Sequence, residues 1–312
     1  MKCLITGAGG FIGGYLAEYL LKQGQTVAAV SRRQGFFSGP LQGKAETVPG
    51  DLLDDAFIEA VLRKHEPEII FHLAAQTLPQ VAWQEPALTY RTNVIGSLKL
   101  FQAALHLRAS PLIIAASSSS IYAPEEGAKL LDEEAPLSPD SIYSASKISL
   151  EQLGRVFSKS KGLKIIFARP FFIIGPRKEG DVSSDFARGI VRIERGEAPE
   201  MPVGNLTIVR DFLDVRDCVS GFWRIATDGK TGSVYNICSG KGISTGDLLE
   251  LFKQNARAAV NTIIDPAKLR RIDTPVKIGN PARLMALGWK PEIAIKDSAR
   301  AILDYWRNKC KS

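Results

Sequence analysis

Cysteine and histidine are scarce: four cysteines and three histidines in 312 residues, with no Cys-x-x-Cys spacing among Cys3, Cys218, Cys238 and Cys310. That scarcity argues against a disulfide framework and a zinc site, and it leaves the thiols as small buried apolar groups. No apolar run approaches the roughly 20 residues that a membrane-spanning helix requires. No charged-then-apolar leader is expected either, because MKCLITGAGG enters a strand-like run at once. A cytoplasmic location is therefore expected. Internal repeats and low-complexity tracts are also lacking, against a solenoid or a disordered chain. Dense basic runs are missing although the net charge is +7, from 40 Lys and Arg against 33 acids. Residues 1–170 hold 17 bases and 16 acids, so six of the seven excess positive charges fall in 171–312, never more than two consecutively. That is too sparse for a nucleic-acid stripe, and it suits a small anionic ligand held by separated arginines.

What is present is ordinary for a globular protein, 45% hydrophobic and 23% charged residues, with room for one large α/β unit or two domains. Strand-like runs at Lys2–Thr6, Thr26–Val30, Glu68–His72, Leu112–Ala116 and Lys164–Ala168 alternate with amphipathic stretches. Between the first two, FIGGYLAEYLLKQG has helical spacing and a glycine stop. Such alternation predicts parallel βαβ units in an α/β, Rossmann-type doubly wound sheet, with a smaller C-terminal α/β substrate domain. The expected division is 1–170 for the first domain, with a returning segment near 212–240, and 171–312 mainly for the second. Val234–Cys238 reads as an added strand, and SARAILDYWRNKCKS as a closing helix.

Three motifs carry chemistry. Gly7, Gly10 and Gly13, with Phe11 and Ile12 between the last two, follow a strand and open a helix. A turn there lets backbone N–H groups and the positive helix end face a pyrophosphate. The second strand ends in Ser31, Arg32 and Arg33, where an NAD-binding chain would place a carboxylate. Two guanidiniums can clamp a 2′-phosphate, so NADP(H) is expected, with NAD(H) as the alternative. Finally, a serine cluster, Ser117 to Ser120, precedes Tyr143-x-x-x-Lys147. Tyrosine and lysine four apart share a helix face, where an ammonium close to the phenol should lower its pKa from about 10. The phenol can then exchange a proton with a substrate oxygen that a serine hydroxyl orients.

Through TGAGGFIG, GDLLD, HLAAQ, SSSSIY, YSASK and RPFFIIGP the chain resembles the extended short-chain dehydrogenase/reductases, the NAD(P)-dependent sugar-nucleotide epimerase/dehydratase family. The resemblance implies a catalytic set of Ser118, Tyr143 and Lys147. It places Asp51 and Leu52 beside the adenine, and Leu73, Ala74, Ala75, Asn93 and Phe171 along the cofactor. The segments GNLTIVRDFLDVRDCV, VYNICSGKGIS and DPAKLRRIDTPVKIGNPARLMALGWKP are similar to the subgroup that reduces GDP-4-dehydro-6-deoxy-D-mannose. In that subgroup arginines matching Arg188, Arg210 and Arg270 contact the diphosphate, and an acid matching Asp273 lies near the nucleoside. Ser119 is a further substrate contact. The implied activity is NADPH-dependent reduction of the C4 ketone to GDP-D-rhamnose or its C4 epimer, GDP-6-deoxy-D-talose, by a homodimer. Two departures matter. Sister dehydratases carry a Glu where this chain has Ser120, and a serine cannot supply an acid/base step near neutrality. The subgroup's Asn after Arg-Pro-Phe is here Phe172, which makes no such hydrogen bond. Alternatives are a 4-epimerase with tightly held NAD, and a non-catalytic dinucleotide sensor, against which the intact Tyr143 and Lys147 speak.

Other features have plainer readings. His72 is expected to be structural, and Trp83, Trp223, Trp289 and Trp306 to pack, although the loop of Trp83 could cover a sugar. Asp211, Asp214 and Asp217 should form salt bridges with Arg210 and Arg216 and hold no metal.

Overall fold

A computed structural model describes residues 1–32, 45–123, 130–269 and 274–309. In the first half β1 (Lys2–Thr6), β2 (Thr26–Ser31), β3 (Glu46–Pro49), β4 (Ile69–His72), β5 (Leu112–Ala116) and β6 (Lys164–Pro170) carry the sheet. They alternate with α1 (Phe11–Lys22), α2 (Asp55–His65), α3 (Pro79–Gln84), α4 (Pro86–Tyr90), α5 (Gly96–Leu105) and α6 (Ile142–Lys161). Then come β7 (Phe172–Ile174), α7 (Val182–Glu194), β8 (Met201–Val203), β9 (Val209–Arg210), β10 (Phe212–Asp214) and α8 (Val215–Asp228). The last elements are β11 (Val234–Ile237), β12 (Ile243–Ser244), α9 (Thr245–Lys253), β13 (Thr262–Ile264), β14 (Val276–Lys277), α10 (Ala282–Met285) and α11 (Ile295–Lys309).

Seven strands form one sheet in the order β11-β6-β5-β4-β1-β2-β3. Every neighbouring pair is parallel. This is the doubly wound α/β arrangement that the sequence predicts. The order reverses at β1, which lies between β4 and β2, so the loops leaving these strands diverge and open a crevice at their carboxyl ends. Val234–Ile237 does return to the sheet, beside Phe167–Pro170. β3 is an addition to the expected strands. It is a four-residue edge strand with three exposed positions and so carries no apolar alternation to read.

Successive strand residues point to opposite faces. Cys3, Ile5, Val27, Ala29, Phe71, Ile114 and Ile166 pack against Leu16 and Leu20 of α1 and Phe222 of α8. Leu4, Ala28, Val30, Ile70, Ile113 and Phe167 pack against Ile58 of α2, Phe101 of α5 and Leu150 of α6. With both faces covered, the strands read as nearly continuous apolar runs. A separate core joins Phe186 of α7, Phe252 of α9 and Trp306 of α11.

The three aspartates before, in and beyond β10 are staples. Asp211, fully buried, accepts the Ser239 amide at 2.7 Å, the Ser239 hydroxyl at 2.6 Å, the Gly240 amide at 2.9 Å and the Gly279 amide at 3.1 Å. Asp214 caps α8, pairs with Arg216 at 2.8 Å and accepts the Ser298 hydroxyl at 2.6 Å. Asp217 accepts the amides of Glu292 and Ile293. The expected ion pair therefore forms at Asp214, while Asp211 and Asp217 are satisfied by backbone N–H groups that tie distant segments together. Among the described residues no group of His, Cys, Asp and Glu is placed to hold a metal, and no helix is long and apolar enough to cross a membrane. Cys3, Cys218 and Cys238 are free and buried, and burial pushes the Cys3 thiol up to about 12. Cys310 lies outside the described residues.

Candidate active site

The glycine turn sits where the sheet order reverses. Gly7 adopts φ +72°, the left-handed region, and a Cβ on it would lie 2.6 Å from the Ala74 backbone nitrogen. A Cβ on Gly13 would run into the Gly7 carbonyl oxygen. These two positions are glycine because the turn, the start of α1 and the strand-end loop at Leu73 and Ala74 touch backbone to backbone. The Leu73 amide donates to the Thr6 carbonyl at 3.1 Å, and the Ala74 amide to the Thr6 hydroxyl at 3.3 Å. No side chain caps α1 at Gly10, so the first-turn N–H groups of Phe11 and Ile12 carry the positive helix end outward. The donor set and the close-packed glycines fit a dinucleotide pyrophosphate. Ser31 closes β2, with Arg32 exposed just beyond; Arg33 lies outside the described residues. Asp51 follows β3 and caps the turn through the Leu53 amide at 3.0 Å, while Leu52 is buried beside it.

The expected catalytic residues come together between β5 and α6. A short 3₁₀ turn, Ser119–Ile121, follows β5, and the Ser118 hydroxyl accepts the Ser120 amide at 3.1 Å. A reciprocal cap between Ser141 and Ser144 starts α6 and fixes Tyr143 in its first turn, with Lys147 one turn later. The Lys147 ammonium lies 6.0 Å from the Tyr143 ring centre and donates to the Ala116 carbonyl at 2.7 Å. Burial pushes the Tyr143 phenol up from its ordinary value, and the neighbouring Ser118 side chain only partly counters this. The expected lowering is thus not what the site holds, because desolvation outweighs a lysine that is aimed at a carbonyl. Burial also brings Lys147 down to about 8, with Glu151 opposing the change.

Asn93 is fully buried in a π-helical turn, Arg91–Ile95, of the kind that often marks functional sites. Its amide oxygen accepts the Gln76 amide at 2.7 Å, and its nitrogen donates to the Gln76 carbonyl at 3.0 Å and to Ser146 at 2.9 Å. It joins the loop after β4 to α6. His72 is structural: its ring nitrogens meet Thr6 and Ser97, each at 2.8 Å, and burial lowers its pKa to about 3. Trp289 and Trp306 are core residues, whereas Trp83 on α3 is 63% exposed.

The residues expected on the substrate side are more dispersed. Arg210 is nearly buried, donates to the carbonyls of Val209 at 2.9 Å and Thr274 at 2.7 Å, and stacks 5.1 Å over Phe172. Arg188 is exposed on α7, 5.3 Å over the Trp306 ring. Arg270 and Asp273 lie outside the described residues. Phe171 is packed against Tyr122 with ring centres 6.0 Å apart. Ser119 is buried in the serine turn, and the hydroxyls of Ser117 and Ser120 are buried with no partner among the described residues. One buried pair escaped the sequence reading, Glu151 with Arg169; its only signal is a charge inside the apolar run IIFARPF.

Comparison with known proteins follows the same lines. The profile of the GDP-mannose 4,6 dehydratase family matches residues 4–302. A GDP-6-deoxy-D-mannose reductase of Pseudomonas aeruginosa is 34% identical over 99% of this chain and 98% of its own. The solved structure of RMD from Pseudomonas aeruginosa complexed with NADPH superposes with a TM-score of 0.85 at 33% identity, covering 98% of this chain and 99% of that one. UDP-glucose 4-epimerase of Thermus thermophilus in complex with NAD gives a TM-score of 0.87 at 27% identity, over 98% and 99% of the two chains.

Proposed function

The chain belongs to the GDP-mannose 4,6-dehydratase family of nucleotide-sugar enzymes, and from that premise we propose that it is an NADPH-dependent reductase of the C4 ketone of GDP-4-dehydro-6-deoxy-D-mannose. The product is GDP-D-rhamnose or its C4 epimer. The observation that carries the reading is the half-buried Tyr143 beside the serine turn, with the Lys147 ammonium 6.0 Å from its ring and Ser120, not a carboxylate, in that turn. That set can give a proton to a ketone oxygen, and it has no acid/base group in the turn for removing water.

Each side chain has a task. Gly7, Gly10 and Gly13 with the N–H groups of Phe11 and Ile12 hold the pyrophosphate of the dinucleotide. A bound nicotinamide supplies the two-electron chemistry at the sugar carbon. Ser118 orients the ketone oxygen, and Tyr143 protonates it. The raised phenol keeps Tyr143 in the donor form at neutral pH. Once the proton has left, Lys147, charged below about 8, balances the phenolate. Residues 1–170 with β11 serve the dinucleotide, and 171–312 mainly the nucleotide sugar, with Arg188, Arg210, Arg270 and Asp273 toward the GDP moiety. The reaction runs in the cytoplasm, where its cofactor and substrate classes occur. Tyr90, Ile95 and Val156, apolar and exposed, support a homodimer through the face of α4, the π turn and α6.

The test is Tyr143→Phe, which keeps the ring and removes the proton. Turnover should fall by about 10²–10⁴, the range of a general acid, with the NADPH dissociation constant unchanged. Near-normal turnover would refute the assignment.

A further inference from the structure

One buried guanidinium joins α6 to the residue that ends the serine turn. Arg169, at the end of β6, is 2% exposed and meets Glu151 of α6 through two bonds, Nε to Oε1 and Nη2 to Oε2, each 2.8 Å. Its Nη1 donates to the Tyr122 hydroxyl at 2.9 Å and to the Glu133 carbonyl at 2.9 Å. Tyr122 closes the turn that begins at Ser118 and in turn donates to Asn236 of β11 at 2.6 Å. The Glu133 carboxylate accepts the Asn236 amide at 2.8 Å. Glu151 lies one helical turn beyond Lys147, on the same face of α6.

We propose that Glu151 and Arg169 are positioning residues: Glu151 offsets the Arg169 charge on the Lys147 side of α6, and the pair, through Tyr122, holds the Ser118 turn in register with α6. The inference deepens the proposed reductase reading and rests on it for the role of Lys147, but its geometry stands alone. The charged and titratable groups around Lys147 can be named element by element. α6 contributes Tyr143, Glu151 and Arg155, which reaches Glu151 at 3.7 Å. β4 contributes His72, neutral at any ordinary pH. β6 contributes Arg169, and β5 presents only the Ala116 carbonyl. Glu151 is therefore the one negative charge facing the ammonium among the described residues, and it also compensates Arg169.

The consequence is a signed cycle. Glu151→Gln removes the attracting carboxylate and leaves Arg169 as an uncompensated like charge, so Lys147 should lose its proton more easily. Removing both charges in Glu151→Gln/Arg169→Met should return most of the change, and apolar replacement of a whole buried pair is often tolerated where breaking it is not. The readout is the ¹³Cε resonance of Lys147, assigned by its loss in Lys147→Arg and followed against pH in the protein without substrate. Because no turnover is required, the result is independent of whether the sugar reading holds. The midpoint should fall by about one pH unit or more in Glu151→Gln and recover in the double variant. If Glu151→Gln does not fold, the double variant should still titrate near the parent, and a midpoint shifted by a unit or more there would overturn the proposal. Tyr122→Phe should leave the Lys147 midpoint in place and lower kcat about tenfold at constant NADPH affinity. An unmoved midpoint in Glu151→Gln, or unchanged kcat in Tyr122→Phe, with only a lower Tm, would show the network to be structural.

Discussion

Lys147 couples the proposed chemistry to the stability of the fold, and the sign of that coupling can be worked out. The side chain is 3% exposed, and burial lowers its pKa from an ordinary 10.5 to about 8. Between those values the unfolded chain binds a proton that the folded chain has released, so unfolding free energy must rise with pH across the window. Below about 8 both states are protonated and the full cost of burying the ammonium is present; above about 10.5 it is gone. Integrating the proton difference gives a gain of about 2.5 kcal/mol between roughly pH 7 and pH 10 from this group alone. Other groups titrate over the same range, so the measurement is a difference of differences. Urea unfolding of the parent and of Lys147→Met at the two pH values isolates the lysine. The parent should gain about 2.5 kcal/mol more than the variant on going alkaline. Equal gains, or a larger gain in the variant, would refute the reasoning. The same titration predicts that reductive turnover falls as pH rises through about 8, as the phenolate loses its compensating charge.

Other consequences can be checked directly. Gly7→Ala places a methyl group 2.6 Å from the Ala74 backbone at a left-handed φ, so it should weaken NADPH binding at least about tenfold and lower Tm; unaltered binding would show that the turn is not the cofactor cradle. Replacing Arg32 and Arg33 with Ala should reduce the preference for NADP over NAD by about tenfold or more, as two charge-assisted contacts to a 2′-phosphate are removed; equal loss for both cofactors would contradict this. Arg210→Lys keeps the charge and loses the planar fork, so GDP affinity by calorimetry should drop about tenfold with NADPH affinity within about twofold. Unchanged GDP affinity with a lower Tm would assign Arg210 to its Val209 and Thr274 carbonyls alone.

The parallel sheet was legible because its central strands are covered on both faces. Lys2–Thr6, with its apolar centre Cys3–Ile5, and the apolar run Leu112–Ala116 have limits that the structure reproduces, and the glycine turn announces itself by its place between β1 and α1. β3 was not legible, since an edge strand with three exposed residues obeys no burial pattern. The site was readable as residue types at fixed spacing, Ser118 with Tyr143 and Lys147, but not as electrostatics. Sequence spacing shows that an ammonium lies one turn from a phenol; it does not show that both are desolvated, which raises the phenol and lowers the lysine. Nor does spacing reveal long-range backbone partners. Asp211 and Asp217 look like surface charges in RDFLDVRD, yet they are satisfied by amides 28 to 76 residues away. Arg169 and Glu151 stayed hidden for the same reason, because their pairing exists only once β6 lies beside α6.

The central claim is that this chain reduces a GDP-linked 4-keto sugar with a freely exchanging NADPH. Its most direct test is NADPH oxidation, followed optically, with GDP-4-dehydro-6-deoxy-D-mannose and a UDP-linked 4-keto sugar side by side, on protein freed of carried-over cofactor. The account predicts stoichiometric NADPH consumption with the GDP sugar, much slower turnover with the UDP sugar, and loss of both in Tyr143→Phe. Purification with tightly held NAD, no net oxidation of NADPH, and interconversion of C4 epimers would contradict it and make the chain an epimerase.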